Sequence, residues 1–155
     1  MQIVELCALR GRTSDLRGIA ATHGITLPEM GRAIVSAERI TLCVRPNRWL
    51  LAENRETGSR AAEIDWRNAC DGNATTVDLS SALTPFLVND DATHSRLAAG
   101  CRLDLDSQIF QEGHAAATLI AQVQVILARL PDAMLVLTPS TTARHFKEWL
   151  GAHAP

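Results

Sequence analysis

Lysine is almost missing from this sequence: Lys147 stands alone beside fourteen arginines in 155 residues, and the formal net charge is −2. Without a basic excess the chain does not read as a nucleic-acid binder, since such proteins carry a positive patch or stripe, and no RNP, helix-turn-helix or zinc-finger pattern is present. The arginine bias has two readings. Guanidinium forks suit contact surfaces, whereas genomic base composition produces the same bias together with abundant alanine. Paired cysteines are missing too. Cys7, Cys43, Cys70 and Cys101 are far apart, with no C-x-x-C and no histidine at ligand spacing, which points to buried, reduced thiols and away from zinc or redox chemistry.

No apolar run is long enough for a membrane helix. The longest, residues 115–128, is broken by Gln122 and Gln124 and falls short of the roughly 20 residues a span needs. Those glutamines alternate with Val123 and Val125, which is strand behaviour. The opening MQIVELCALR lacks a basic region followed by an apolar core and cleavage site, so it is not read as a signal peptide and a cytoplasmic location is expected. The sequence also has no G-x-G-x-x-G, no G-x-x-x-x-G-K-[ST] and no H-E-x-x-H, so the common dinucleotide, nucleotide and zinc-protease motifs are absent.

What is present is globular in composition, 46% hydrophobic and 21% charged. The length suits a single domain, residues 1–155, able to bury about two-thirds of its unfolded surface. A strand is expected at 3–10, then a helix with Ser14 as N-cap and Leu16, Ile19 and Ala20 on one face, ended by Gly24. A meander follows at 33–36, 40–44 and 49–52, turned by Pro46 and Asn47. The next helix, 59–70, divides its apolar residues between two faces, so one of Ile64 and Trp66 should point away from the core. Further strands are expected at 77–80, 83–88, 116–121, 123–127 and 134–137. A short helix capped by Asp90 or Asp91 ends at Gly100, read as a position of positive φ, with 101–105 extended beyond it. A last helix spans 141–150, with Phe146, Trp149 and Leu150 in the core.

Pro46 and Pro131 are 85 residues apart. The same offset lays Leu50 on Leu135, Ile40 on Val125, Leu42 on Leu127, and the 59–70 helix on the last one. The chain therefore reads as two tandem halves, about 3–72 and 75–151. Neither is expected to be stable alone, so they should share one core.

Groups able to do chemistry are few. Asp104 and Asp106 form a D-x-D that could hold a cation or act as an acid/base pair, with capping and loop solvation favoured. Asp78, between Val77 and Leu79, reads as a buried structural carboxylate. His23, His94, His114 and His145 have no nucleophile partner, with His94 and His145 expected on helix surfaces. Ser14, Ser80 and Ser140 lack the context of a nucleophile elbow.

Three stretches, RPNRWLL at 45–51, VDLS at 77–80 and LAAGCRLDLDSQIF at 97–110, together with the ending FKEWL at 146–150, resemble the gamma subunit of heterotetrameric sarcosine oxidase in order and spacing. The resemblance covers most of the chain. It implies an α+β fold: a duplicated module of antiparallel-rich sheets with two helices per half, similar to the folate-binding aminomethyltransferase fold. It also implies a non-catalytic assembly subunit, with no cofactor on this chain. FAD, FMN, NAD, tetrahydrofolate and zinc would sit on the alpha, beta and delta partners. That complex oxidatively demethylates sarcosine to glycine, passing the one-carbon unit to tetrahydrofolate and electrons to oxygen. The family varies the second aspartate of the D-x-D, which a bidentate metal site would not tolerate. The chain departs from the family pattern at Asn89–Asp90 and at Pro139–Ser140.

Arginine and aromatic side chains anchor interfaces, so Arg45, Arg48 and Trp66 are the candidate contact residues, with no catalytic, cofactor or metal ligand assigned. Three alternatives stay open: a subunit of an N-methylglutamate dehydrogenase-type enzyme; a free-standing folate-binding or one-carbon-transfer protein, for which Asp78, Arg102 and Asp104 are the only polar cluster on offer; and a self-associating homo-oligomer.

Overall fold

A computed structural model of the chain describes residues 1–36, 38–55 and 61–151. It divides into two compact units, Met1–Ser80 and Ser81–Pro155. The first runs β1 (Gln2–Ala8), α1 (Thr13–Thr22), β2 (Arg32–Ser36), β3 (Arg39–Arg45), β4 (Arg48–Glu53), α2 (Ala62–Ala69) and β5 (Ala74–Asp78). Its sheet has the order β2-β3-β4-β1-β5, with every pair antiparallel. The second runs β6 (Leu83–Val88), α3 (Asp91–Gly100), β7 (Ala115–Ile120), β8 (Val123–Arg129), β9 (Met134–Pro139) and α4 (Ser140–Gly151), with sheet order β6-β9-β8-β7. Among the described residues the fold is thus α+β, with two antiparallel sheets and four helices. Each unit follows the same path: a strand, a helix, a three-stranded meander whose last strand pairs with the first, and a helix.

The repeat holds strand by strand but not at a constant offset. Trp49 and Leu51 face the cluster of the first unit, and Met134 and Val136, 85 residues on, face that of the second. In the preceding strand the offset fails. Thr41 pairs with Leu51, which puts Ile40 and Leu42 on the opposite side of the sheet, whereas Val125 and Leu127 lie within their cluster. The causes are a bulge between Leu42 and Arg45 and hairpin connections of unequal length, Arg45 facing Arg48 but Arg129 facing Met134. A one-residue slip turns every side chain to the other face.

β5 corrects the expected division of the chain. The sequence pattern places it in the second half, but it pairs with the outer edge of β1, Val4 opposite Asp78 and Ala8 opposite Ala74. α2 returns the chain to that edge, and a tight turn through Gly72 (φ 71°), with Asn73 and Ala74 donating to the Cys70 carbonyl, delivers it. Local alternation shows that a strand is present but not which neighbour it will find.

Among the described residues each unit has its own packed cluster. Val4, Leu6, Trp49 and Leu51 of the first sheet pack with Leu16 and Ala20 of α1 and Ala62 and Trp66 of α2. The Trp49 indole N–H reaches the Pro28 carbonyl at 2.8 Å, and the Arg17 guanidinium lies 5.4 Å above its ring. α1 begins without a side-chain cap: Arg12 holds the N-cap position, Ser14 lies one residue inside the helix, and the Thr13 hydroxyl donates to Asn47 Oδ1. α2 is capped from a distance, since Gln2 Oε1 accepts the Ala62 N–H at 2.6 Å; the expected start at Ser59 lies outside the described residues. In the second unit Asp90 caps α3 by accepting the Thr93 N–H at 2.8 Å. Leu97 and Phe146 are fully buried, with Trp149 and Leu150 packed against the cluster. Burying a side chain such as Phe146 contributes roughly 1.5–3 kcal/mol.

Gly100 ends α3 as expected, but not for the expected reason. It does not have positive φ; instead a Cβ placed there would lie 2.6 Å from Trp149 Cζ2. The residues beyond it form no strand. Cys101 makes one bridge to Ile120, and from Asp104 the chain coils.

Candidate functional site

The candidate contact residues separate into two different environments. Arg45 and Arg48 close the β3–β4 hairpin, where Asn47 takes φ 57°, a left-handed conformation that asparagine tolerates. The turn is tied to its surroundings, with the Asn47 carbonyl accepting the Ala8 N–H at 3.0 Å and its side chain the Thr13 hydroxyl at 2.9 Å. Arg45 and Arg48 face one another across the ladder, so their side chains leave on one side of the sheet. Arg48 is neutralised in part by Glu5 at 3.2 Å and keeps 46% of its side-chain surface exposed. Arg45 is also exposed. A turn held by hydrogen bonds thus presents two guanidinium groups, with the Glu5 carboxylate beside one of them.

Trp66 must be withdrawn from that set. It is 4% exposed and belongs to the first unit's core, while Ile64 is the residue of α2 that turns outward, at 37%. The helical period decides it: Ala62 and Trp66 are four residues apart and share the buried face.

Trp66 leads instead to a buried charge that the sequence reading missed. Its indole N–H donates to Glu53 Oε1 at 3.2 Å, and the same carboxylate receives Arg39 Nε at 2.9 Å and Arg55 Nε at 2.6 Å. Arg55 continues to Asp65 at 2.8 Å. Burial pushes the Glu53 carboxyl up, but the hydrogen bonds from Arg55 and Trp66 and the charges of Arg39 and Arg55 outweigh it and hold the group below the usual carboxylate range. A cavity of about 290 Å³ beside it is lined by His23, Arg39, Arg55, Asp65 and Trp66. With carboxylates and guanidiniums committed to one another, the arrangement is suited to fixing β3, β4 and α2. The only sequence signal was the position of Glu53 at the end of the apolar run WLLA.

The remaining polar candidates are engaged locally. Asp78 is exposed, not buried, because β5 is an outer strand; its carboxylate accepts the Ser80 N–H at 2.8 Å. That hydroxyl and N–H hold it below its ordinary pKa. Asp104 Oδ1 accepts the Asp106 N–H at 2.9 Å, and Asp106 Oδ1 accepts the Gln108 N–H at 2.8 Å. The D-x-D is therefore a pair of successive Asx turns. Arg102 and Asp104 lie in the second unit and Asp78 in the first. The coil they begin is fastened by Arg129, whose guanidinium donates to the carbonyls of Leu105 and Phe110 and contacts His94. His94 is half-buried on α3 and His145 exposed on α4. All four thiols are free, with Cys43 and Cys70 buried. Among the described residues no group of three His, Cys, Asp or Glu is placed to hold a metal ion, and no helix is long and apolar enough to cross a membrane.

No protein-family model and no curated protein sequence matches the chain. Its fold does have a counterpart among solved structures. A chain of the heterotetrameric sarcosine oxidase from Corynebacterium sp. U-96, determined in complex with pyrrole 2-carboxylate, matches 96% of this chain and 76% of its own length, with a TM-score of 0.82 and 23% sequence identity. The fold implied by the sequence resemblance is the fold observed.

Proposed function

We propose that this chain is the gamma, assembly subunit of a sarcosine oxidase-type complex, and that it contributes to oxidative demethylation by association alone. What carries the reading is the agreement of two likenesses. The order of RPNRWLL, VDLS and GCRLDL in the sequence points to that complex, and so does a backbone match extending over 96% of the chain. The chemistry of the described residues is consistent with it: the charged side chains that converge in the first unit neutralise one another, and the aspartates hold turns. In this reading FAD, FMN, NAD, tetrahydrofolate and zinc belong to the alpha, beta and delta partners. Arg45 and Arg48 form part of the contact with an acidic partner surface, since the turn that carries them is already held in place before docking and guanidinium forks match carboxylates.

Co-expression with flavin- and zinc-binding subunits of such a complex tests the proposal. A stoichiometric complex that turns over sarcosine is expected. The double variant Arg45→Glu, Arg48→Glu should weaken co-purification while costing the isolated fold only about 1 kcal/mol, the scale of an exposed ion pair such as Arg48–Glu5. Turnover of N-methylglutamate in place of sarcosine would keep the subunit role and change the substrate. Tight tetrahydrofolate binding by the isolated chain, or sarcosine turnover without partners, would replace the assembly reading with a free-standing one-carbon enzyme.

A further inference from the structure

The two units share one path but differ at one sheet edge. In the first unit the strand that opens the module, β1, is paired on both sides, by β4 and by β5. Its counterpart β6 is paired only with β9. The position that β5 fills in the first sheet is therefore vacant among the described residues of the second.

The hydrogen-bonding sense of that edge follows from the ladder. Ser140 donates to the Ala82 carbonyl at 2.8 Å, and the register places Leu83 opposite Pro139. Antiparallel pairs alternate, so Thr84, Phe86 and Val88 turn their backbone groups to β9 while Leu83, Pro85 and Leu87 turn theirs outward. The outward row offers three carbonyls and two N–H groups, because Pro85 has none. Leu87 stands on this edge 58% exposed; Pro85 blunts the edge in part, and the groups that remain can still accept an added strand.

Pro85 indicates which occupant this edge excludes. In a symmetric pairing of β6 with a second copy, each strand brings its own proline, so every register that includes Pro85 loses two inter-strand hydrogen bonds. A foreign strand loses one and can still donate to the Pro85 carbonyl. We infer that β6 is a strand-addition site for an extended segment of another subunit of the complex, lying antiparallel to β6 as β5 lies to β1, about five residues long, with an apolar side chain against Leu87. The inference rests on the assembly reading and names one surface through which it operates.

Amide hydrogen exchange over residues 82–88, compared between the isolated chain and the complex assembled with its co-expressed subunits, tests it. In the isolated chain the Leu83 and Leu87 amides should exchange at least 100-fold faster than those of Thr84 and Phe86, and assembly should slow them to a comparable rate. Leu87→Pro, which removes an outward N–H and leaves the β9 ladder intact, should weaken assembly at least 10-fold, whereas Leu87→Val should not. A complex that forms with the Leu83 and Leu87 amides still unprotected overturns this inference and leaves the assembly role standing. An isolated chain that dimerises with those amides already protected makes a second copy the occupant and overturns it as well. Failure to form any complex removes the assembly reading and this inference together.

Discussion

Replacing Gly100 by alanine should destabilise the second unit even though the backbone there is helical and alanine is the better helix former. On propensity alone the change would add about 0.5–1 kcal/mol of stability. The contact geometry opposes it. The new methyl carbon would lie 2.6 Å from Cζ2 and 2.7 Å from Cη2 of Trp149, and 3.5 Å from Ile120 Cγ2. Carbon pairs settle at about 3.5–4.0 Å, so the indole must retreat by roughly 1 Å. It is not free to do so without loss, since it packs against Phe146 at a centroid distance of 5.8 Å. Overpacking of this kind costs about 1–3 kcal/mol, which leaves a net loss of up to about 2.5 kcal/mol, centred near 1 kcal/mol. Urea unfolding followed by far-ultraviolet circular dichroism reads the change without depending on Trp149 emission. The decisive measurement is the same substitution in a Trp149→Phe background, where both clashing atoms are gone. There Gly100→Ala should be neutral or mildly stabilising. A stabilising Gly100→Ala in the unaltered chain, or an equal loss in both backgrounds, would refute the argument.

Trp66→Phe should lower stability by roughly 1.5–3 kcal/mol, because a buried carboxylate loses a donor, yet leave co-purification with partner subunits unchanged; weakened assembly at unaltered stability would return Trp66 to the contact surface. Glu53 and Glu63 are both held below the ordinary carboxylate range, Glu53 against a burial that pushes it up, by Arg55, Trp66 and Arg39, and Glu63 chiefly by the Thr76 hydroxyl and by Arg67. Carboxyls lowered in the folded state contribute stability that is present above the unfolded-state pKa and lost as pH falls through the folded values. Urea midpoints should therefore hold near neutrality and fall from about pH 4.5 downward, and Glu53→Gln should flatten that fall; an unchanged acid limb would remove Glu53 as its source. Burial pushes the Cys43 and Cys70 thiols up, so a thiol reagent at pH 8 should label half-buried Cys7 and Cys101 well before these two, and uniform labelling of the folded chain would contradict the packing.

The parts legible in the sequence were those written in local periodicity and turn chemistry. The meander with its Pro46–Asn47 turn, the Asp90 cap and the amphipathic last helix carrying Phe146 all form where their patterns place them. What escaped depended on partners distant in sequence. TTVD alternates as a strand wherever it goes, and only the return of α2 assigns it to β1. Glu53 looks like a solvated strand end until Arg39 and Arg55 converge on it from either side in sequence. Trp66 reads as an anchor in the sequence because an aromatic on a divided helix face has no orientation there; four-residue spacing to Ala62 gives it one only once the buried face is known. Gly100 shows the same limit from the other direction. A glycine at a helix end reads as a backbone requirement, yet here the missing Cβ makes room for an indole forty-nine residues later in the chain. The candidate contact surface followed the same rule, since Arg45 and Arg48, set by a local turn, are exposed as expected, while the Pro85 edge became visible only when the second sheet could be compared with the first.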